Sequence, residues 1–81
     1  MNKRDIRLES ASRAKELRSW VEPLSHASPA LADAFAKTAD EIEMKGQQGL
    51  YDSFGGVKMM GRVIGMVYVA QVLLDEWKAH R

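Results

Sequence analysis

"GGVKMMGRVIGMVYVAQVLLDEW", residues 55–77, decides the fold, because apolar side chains are denser here than elsewhere in the chain. Three structures would suit it: a membrane span, a glycine-rich phosphate loop, or a helix that is buried over most of its circumference. At about 100° per residue its apolar side chains fill an arc of roughly 200°, about twice the width that an ordinary surface helix needs. The pattern therefore favours a helix with neighbours on two sides.

A membrane span is the first alternative, and it requires roughly 20 consecutive apolar residues. The run from Val63 to Gln71 is less than half as long. The charged residues that flank this run are Lys58, Arg62, Asp75 and Glu76. We therefore expect that the chain does not enter a membrane.

The glycines of the stretch raise the second alternative, a phosphate loop. A Walker loop needs GxxxxGK followed by Ser or Thr, a dinucleotide-binding turn needs GxGxxG after a strand, and neither spacing is present. The sequence FGG before the helix, with Lys58 one turn further on, could hold an anion through free amides, although a flexible hinge is the commoner use of a glycine pair. Gly61 and Gly65 form GxxxG, which in a soluble helix marks a place where two backbones can approach closely.

An extended segment must also be considered, since RVIGMVYVAQV, residues 62–72, is rich in β-branched side chains. Strict polar alternation is missing, a hairpin partner is missing, and AQVLLDEWKAH continues in a helical pattern. We therefore predict one helix over residues 54–79.

Two more helices are predicted before it, over residues 5–22 and 29–45. Apolar and small side chains recur on one face of the first helix, and Pro23, which lacks an amide hydrogen, is expected to stop or kink it. Ser28 as the N-cap and Pro29 at the first helical position mark the clearest helix start in the chain. Lys45 suits the negative end of this helix, and Gly46 is expected to take the left-handed capping conformation.

These segments predict an all-α fold with a single domain over residues 1–81: a small three-helix domain in which a helical hairpin packs on a long C-terminal helix. The first two helices supply too few apolar residues to cover the third, so we expect homodimerisation to complete the domain. The chain has no cysteine, which excludes disulfides and thiolate zinc sites. Its charged N-terminus lacks the apolar core of a signal peptide, so a cytoplasmic location is expected.

The net charge of +1 is unevenly distributed along the chain. Residues 1–20 carry six basic and three acidic residues, whereas residues 21–54 carry two basic and six acidic ones. A protein that binds phosphates usually has a larger positive surplus, so a basic helix beside an acidic one is the plainer interpretation. Nucleic-acid or nucleotide binding is the alternative function. Its candidate anion-binding residues are Arg7, Arg13, Arg18 and Lys58, joined by Arg62.

The sequence contains no persuasive catalytic arrangement. Its two histidines are His26 and His80, and Glu76 precedes His80 by four residues, whereas helical carboxylate metal sites use Glu-x-x-His. The carboxylates between residues 40 and 43 spread over about 160° of a helix and do not converge. We expect no enzymatic activity, no metal and no cofactor.

The leading hypothesis is therefore a non-enzymatic protein-interaction module that inhibits or modulates a partner protein. In size, lack of cysteine and lack of catalytic residues the chain is similar to small phage-encoded inhibitors of host or defence proteins, a likeness of type that extends to no motif. Aromatic and methionine side chains are typical of adaptable interfaces. The predicted partner-binding residues are Tyr51, Phe54, Arg62 and Tyr68. The predicted dimer interface consists of Met59, Gly61, Val63, Gly65, Met66, Ala70, Leu73 and Trp77.

Overall fold

The computed structural model of the protein describes residues 3–81, and within them it contains four α-helices and no β-strand. The helices are α1 (Lys3–Ser19), α2 (Val21–Ala27), α3 (Pro29–Gln47) and α4 (Ser53–Ala79). The predicted all-α fold is confirmed. Helices α1 and α2 together replace the first predicted helix.

The interruption between α1 and α2 lies at Trp20, earlier than the predicted stop or kink at Pro23. The Trp20 N–H donates to the carbonyl of Leu17 at 3.1 Å, three residues back, instead of making an α-helical bond. In a continuous helix the ring of Pro23 would clash with the carbonyl four residues earlier, on Ser19. The helix therefore breaks before the proline, and Pro23 lies in the first turn of α2, where its missing N–H is tolerated.

The start of α3 is confirmed, because Ser28 is its N-cap and accepts a hydrogen bond from the Leu31 N–H at 3.2 Å. The end is different from the prediction. Helix α3 continues through Gly46, and the glycine with left-handed geometry is Gly49, at φ 68°.

Two backbone hydrogen bonds close the end of α3. The Leu50 N–H donates to the Lys45 carbonyl at 2.9 Å, and the Gly49 N–H donates to the Gly46 carbonyl at 3.2 Å. This pair of bonds is the Schellman motif, which requires a left-handed residue after the helix. The capping role predicted for Gly46 therefore belongs to Gly49.

Helix α4 is continuous from Ser53 to Ala79, which confirms the helical interpretation of residues 54–79 and excludes the extended one. Asp52 is the N-cap, and its Oδ1 accepts a hydrogen bond from the Gly55 N–H at 2.6 Å. With 27 residues the helix is about 40 Å long. It therefore spans nearly the whole molecule, whose longest dimension is 45 Å.

The core lies where α1 and α2 pack against both α3 and α4, whereas α3 and α4 contact each other little. Phe35 is the largest fully buried side chain. Gly56 of α4 lies against α1, since a Cβ at this position would be 3.2 Å from Ile6 Cγ1. The buried apolar residues of the core are Ala14, Leu17, Leu24, Ala32, Phe35, Ala39, Ile42, Met59, Val63, Ala70 and Leu74.

Candidate interaction surface

Helix α4 presents different residues on its two opposite sides. The inner side, with Val63 and Ala70 fully buried, packs on α1 and α2. At about 100° per residue, Phe54 and Val72 lie at the same angle around the helix, on the side opposite Val63 and Ala70. We call this side the outer face of α4; it consists of Phe54, Val57, Gly61, Ile64, Gly65, Tyr68, Val69 and Val72.

The outer face is apolar and exposed. Phe54 is 70% exposed, Tyr68 67% and Ile64 62%, and the three valines of the face are about as accessible. Single exposed apolar side chains are common on soluble proteins, but a contiguous set of six along one helix is not. This surface is therefore the candidate site of association.

The two glycines in the middle of the outer face have no packing role inside the chain. Apart from its chain neighbours and the nearby backbone of α4, a Cβ at Gly61 or Gly65 would have no atom of the described residues within 4 Å, in contrast to Gly46 and Gly56. Glycine inside a helix costs about 1 kcal/mol relative to alanine. No other described element packs on either glycine, so the two positions belong to the candidate surface.

A shallow groove of about 380 Å³ lies beside the C-terminal half of the outer face. Its lining residues are Tyr68, Val69, Val72, Leu73 and Glu76. Its shape and apolar lining suit an apolar side chain or the aliphatic stem of a lysine or arginine from a partner.

The two ends of the outer face have opposite charge. Lys58 lies near the N-terminal end, with its Nζ 5.1 Å from the centre of the Phe54 ring. Asp75 and Glu76 lie near the C-terminal end, and both are exposed. The face therefore offers a partner an apolar centre between a basic end and an acidic end.

The residues predicted for the dimer interface do not form one surface. Met59, Val63 and Ala70 are buried in the core because α1 and α2 cover them, so they are not accessible to a second copy in this structure. Gly61 and Gly65 lie on the outer face. The other three predicted residues are half-buried beside the core: Met66, Leu73 and Trp77.

The predicted partner-binding residues are also divided. Phe54 and Tyr68 lie on the outer face, as described above. Tyr51 lies in the loop before α4, half-buried, and burial raises the pKa of its hydroxyl. Arg62 forms an ion pair with Glu41 of α3 at 3.3 Å, so it ties α4 to α3.

Sequence reasoning omitted four members of the outer face from both predicted sites: Val57, Ile64, Val69 and Val72. Their spacing carries a signal, since Val57 and Ile64 are one heptad apart, and Val72 follows Gly65 by a heptad. This heptad spacing was not recognised as a separate surface, because the buried side of α4 has heptad-like spacing as well. Only the position of α1 and α2 shows which rows remain free.

The candidate anion-binding residues mostly have partners within the chain. Arg13 forms ion pairs at 2.7 Å with two glutamates of α1, and the hydrogen bond with Glu9 raises its pKa. Arg18 forms ion pairs at 2.9 and 3.0 Å with two carboxylates of α3. Arg7 donates to the backbone carbonyl of Gln47 at 3.3 Å. A phosphate would have to compete with these carboxylates, so nucleic-acid binding is the weaker prediction.

A cleft of about 600 Å³ lies between α2 and the C-terminal end of α4. Its lining residues are Pro23, His26, Leu74, Trp77, Lys78 and Arg81. The lining contains the His26 imidazole and the Lys78 amine, and no carboxylate, hydroxyl or thiol side chain is present among these six residues to orient or activate them. Within residues 3–81, no three histidine, aspartate or glutamate side chains are close enough together to hold a metal ion.

By length and composition alone, α4 is also long and apolar enough to cross a membrane. Only 22% of its most apolar 18-residue segment is buried against the rest of the domain, so core packing does not account for its apolar character, and a single helix of this kind is weak evidence for a span. The expectation that the chain does not enter a membrane stays a prediction.

No protein-family model, curated protein or solved structure matches the chain significantly.

Proposed function

We propose that this protein is a non-enzymatic helical interaction module and that the outer face of α4 binds another polypeptide, a second copy of the chain included. One observation carries the proposal: six large apolar side chains lie exposed along one helix face, around two glycines that have no neighbour in the described structure. In this function the other helices stabilise α4 by packing on its inner side.

The energetics favour a partner with an apolar surface of its own. Burying one large apolar side chain fully contributes about 1.5–3 kcal/mol, so covering six that are roughly half to two-thirds exposed contributes on the order of 10 kcal/mol. The loss of translational and rotational freedom on association costs about 4–15 kcal/mol. The outer face alone therefore roughly offsets that cost, and net affinity comes from the apolar side chains that the partner buries.

Phe54 and Tyr68 are the proposed anchors of the contact. Both are large, both are exposed, and Tyr68 also borders the groove on the outer face. Aromatic side chains of this kind contribute most of the binding energy at many interfaces. By covering a surface of its partner, the module acts as an inhibitor or modulator, and we place it in the cytoplasm.

Site-specific photo-cross-linking tests the proposal. Tyr68 is replaced by benzoylphenylalanine, the cells of origin are irradiated, and covalent adducts are detected by electrophoresis. The matched control carries benzoylphenylalanine at Ala34, an exposed position on α3. We expect an adduct, with a second copy or with another protein, from position 68 only. Equal labelling from both positions, or no adduct at all, would show that the outer face is not a binding surface.

A further inference from the structure

Two rows in which residues recur every seven positions run along the outer face of α4 and continue beyond it to Lys58, Asp75 and Ala79, while Val57, Ile64 and Val69 flank them. The first row is Phe54, Gly61, Tyr68 and Asp75, and the second row is Lys58, Gly65, Val72 and Ala79. Two such rows, offset by about half a heptad, form the seam through which helices pack side by side in coiled coils. The seam of α4 is exposed to solvent, and the size and charge of its residues, as well as their apolarity, restrict which partner can fit it.

We infer that the outer face of α4 packs on the same face of a second copy, antiparallel, around a twofold axis between Gly65 and Tyr68. The inference rests on the proposed function, because it names the partner of the same surface. In this arrangement each residue of one row faces a residue of the other row in the second copy. The facing pairs are Phe54 with Ala79, Lys58 with Asp75, Gly61 with Val72, and Gly65 with Tyr68.

Shape complementarity supports this register. Each apolar layer pairs a large side chain with a small residue: Tyr68 lies over Gly65, and Val72 lies over Gly61. The space above both glycines is open, since no atom of the described residues lies within 4 Å of a Cβ built there. A twofold interface repeats every contact, so each of these layers occurs twice. The glycines thus receive the close neighbour that the single chain does not provide.

Charge complementarity favours the antiparallel orientation over the parallel one. The antiparallel pairing places Lys58 opposite Asp75, with Glu76 one position further along. A parallel pairing would place Lys58 beside Lys58 of the second copy, and likewise Asp75 beside Asp75. Like charges in contact across an interface are strongly unfavourable, whereas opposite charges determine orientation and register.

The groove on the outer face fits the same arrangement. Lys58 of the second copy lies level with the acidic end of α4, where Val72 and Glu76 line the groove. The four methylene groups of Lys58 can lie along the apolar lining while the ammonium group reaches the carboxylate of Glu76. The groove therefore receives a side chain from the same face that forms the rest of the contact.

Cysteine cross-linking tests both the partner and the orientation, because the natural chain has no cysteine. Two exposed positions are changed in separate chains, Lys58→Cys and Asp75→Cys, and a short bismaleimide is the cross-linker. In the antiparallel dimer, two copies of Lys58 are about 25 Å apart along the helix axis, too far for the reagent. We therefore expect cross-linked dimers when the two variants are mixed and none from either variant alone. Cross-linking of each variant to itself would overturn the antiparallel register.

Exchanging the charges at positions 58 and 75 tests the pairing independently, with self-association measured by sedimentation equilibrium. Lys58→Glu and Asp75→Lys should each weaken self-association by about tenfold or more, because each places two like-charged pairs in the interface. The double variant, with both changes in one chain, restores the opposite-charge pairs and should regain affinity. Leu8→Glu removes an equally exposed apolar residue from α1 and serves as the control. Failure of the double variant to recover would contradict the pairing.

Failure of this inference can be distinguished from failure of the proposed function. A wild-type chain that sediments as a 9.1 kDa monomer at micromolar concentration overturns the second copy as partner. If position 68 then forms adducts with a different protein, the proposed function stands without self-association. Co-flotation of the wild-type chain with phosphatidylcholine vesicles, lost on Tyr68→Glu, would assign the outer face to a lipid surface and overturn both.

Discussion

Gly46 of α3 lies directly against Ser10 of α1, and a Cβ built on Gly46 would be 2.6 Å from Ser10 Cβ. Ser10 is buried, and its Oγ donates to the Arg7 carbonyl at 2.9 Å. Even the smallest side chain at position 46 would therefore collide with an atom that is fixed close to the α1 backbone. This contact sets the distance between the middle of α1 and the C-terminal end of α3.

The first prediction is that Gly46→Ala destabilises the protein, because overpacking at a tight contact costs about 1–3 kcal/mol. This loss should exceed the gain of about 1 kcal/mol from the better helix propensity of alanine. Ser10→Gly in the same chain should recover much of the loss, since it removes the Cβ that Gly46 faces. Thermal and urea unfolding of the single and double variants measure this coupling, and additive losses would contradict the contact.

A second prediction concerns Gly49, the residue with positive φ after α3. Gly49→Ala should lower stability by about 1 kcal/mol, because a Cβ is disfavoured in the left-handed conformation. Gly49→Asn should cost less, since asparagine tolerates this geometry better. Urea denaturation provides the comparison. Equal stability of the alanine variant and the wild type would show that the Schellman motif does not need this glycine.

A third prediction compares two valines on opposite sides of α4. Val63 is fully buried whereas Val69 is 52% exposed. The same change to alanine at both positions therefore compares the stability lost from the core with the stability lost from the outer face. Val63→Ala should cost about 2 kcal/mol through lost burial and a cavity. Val69→Ala should change the stability of the monomer by less than about 0.5 kcal/mol. The unfolding measurements are made at low protein concentration, and a reversed order would contradict the assignment of the two sides.

The fourth prediction is a pH dependence that comes from Glu41. The hydrogen bond from Lys45, together with the charge of Arg62, lowers the pKa of this carboxyl below its ordinary value. The ionised form is therefore favoured by folding, so this contribution is present above the ordinary carboxyl pKa and is lost as the pH falls through the lowered one. Its size is below about 1 kcal/mol because the pair is partly exposed to solvent.

The measurement for Glu41 is the free energy of unfolding between neutral pH and pH 3. Glu41→Gln should lose less stability over this range than the wild type does, and the difference should shrink in high salt. Glu22→Gln, which removes one negative charge at an exposed position on α2, is the control. The same pH profile for Glu41→Gln and the wild type would show that the contacts with Lys45 and Arg62 contribute nothing.

Local signals in the sequence predicted the start of α3 well, whereas the separate start of α2 was not predicted. Ser28 and Pro29 act on their own helix turn, so neither depends on the rest of the fold. The end of α3 was predicted less accurately, because Gly46 and Gly49 both suit a helix end when only neighbouring residues are considered. Packing decides between them, since Gly46 is needed for the approach of Ser10 and is not free to act as the cap.

The candidate interface on α4 could be predicted only in part, for a related reason. An apolar arc of roughly 200° shows that two surfaces must be covered, but it does not say which side belongs to the core. The burial of Met59 and Val63 settles this, and it depends on where α1 and α2 pack. Gly61 and Gly65 were expected to mark a place where two backbones approach; the space above them is open, and the approach itself stays a prediction.

The buried and the exposed residues of α4 lie on opposite sides of the helix, which affects how the sequence of this protein can evolve. Residues that hold the domain together, such as Val63, and residues proposed to meet a partner, such as Tyr68, point to opposite sides of the helix, about 140° apart, and share no contact requirement. Substitutions on the outer face can therefore accumulate without loss of the fold, and the same scaffold can acquire a new specificity. A library randomised on that face alone would be a practical source of designed helical binders.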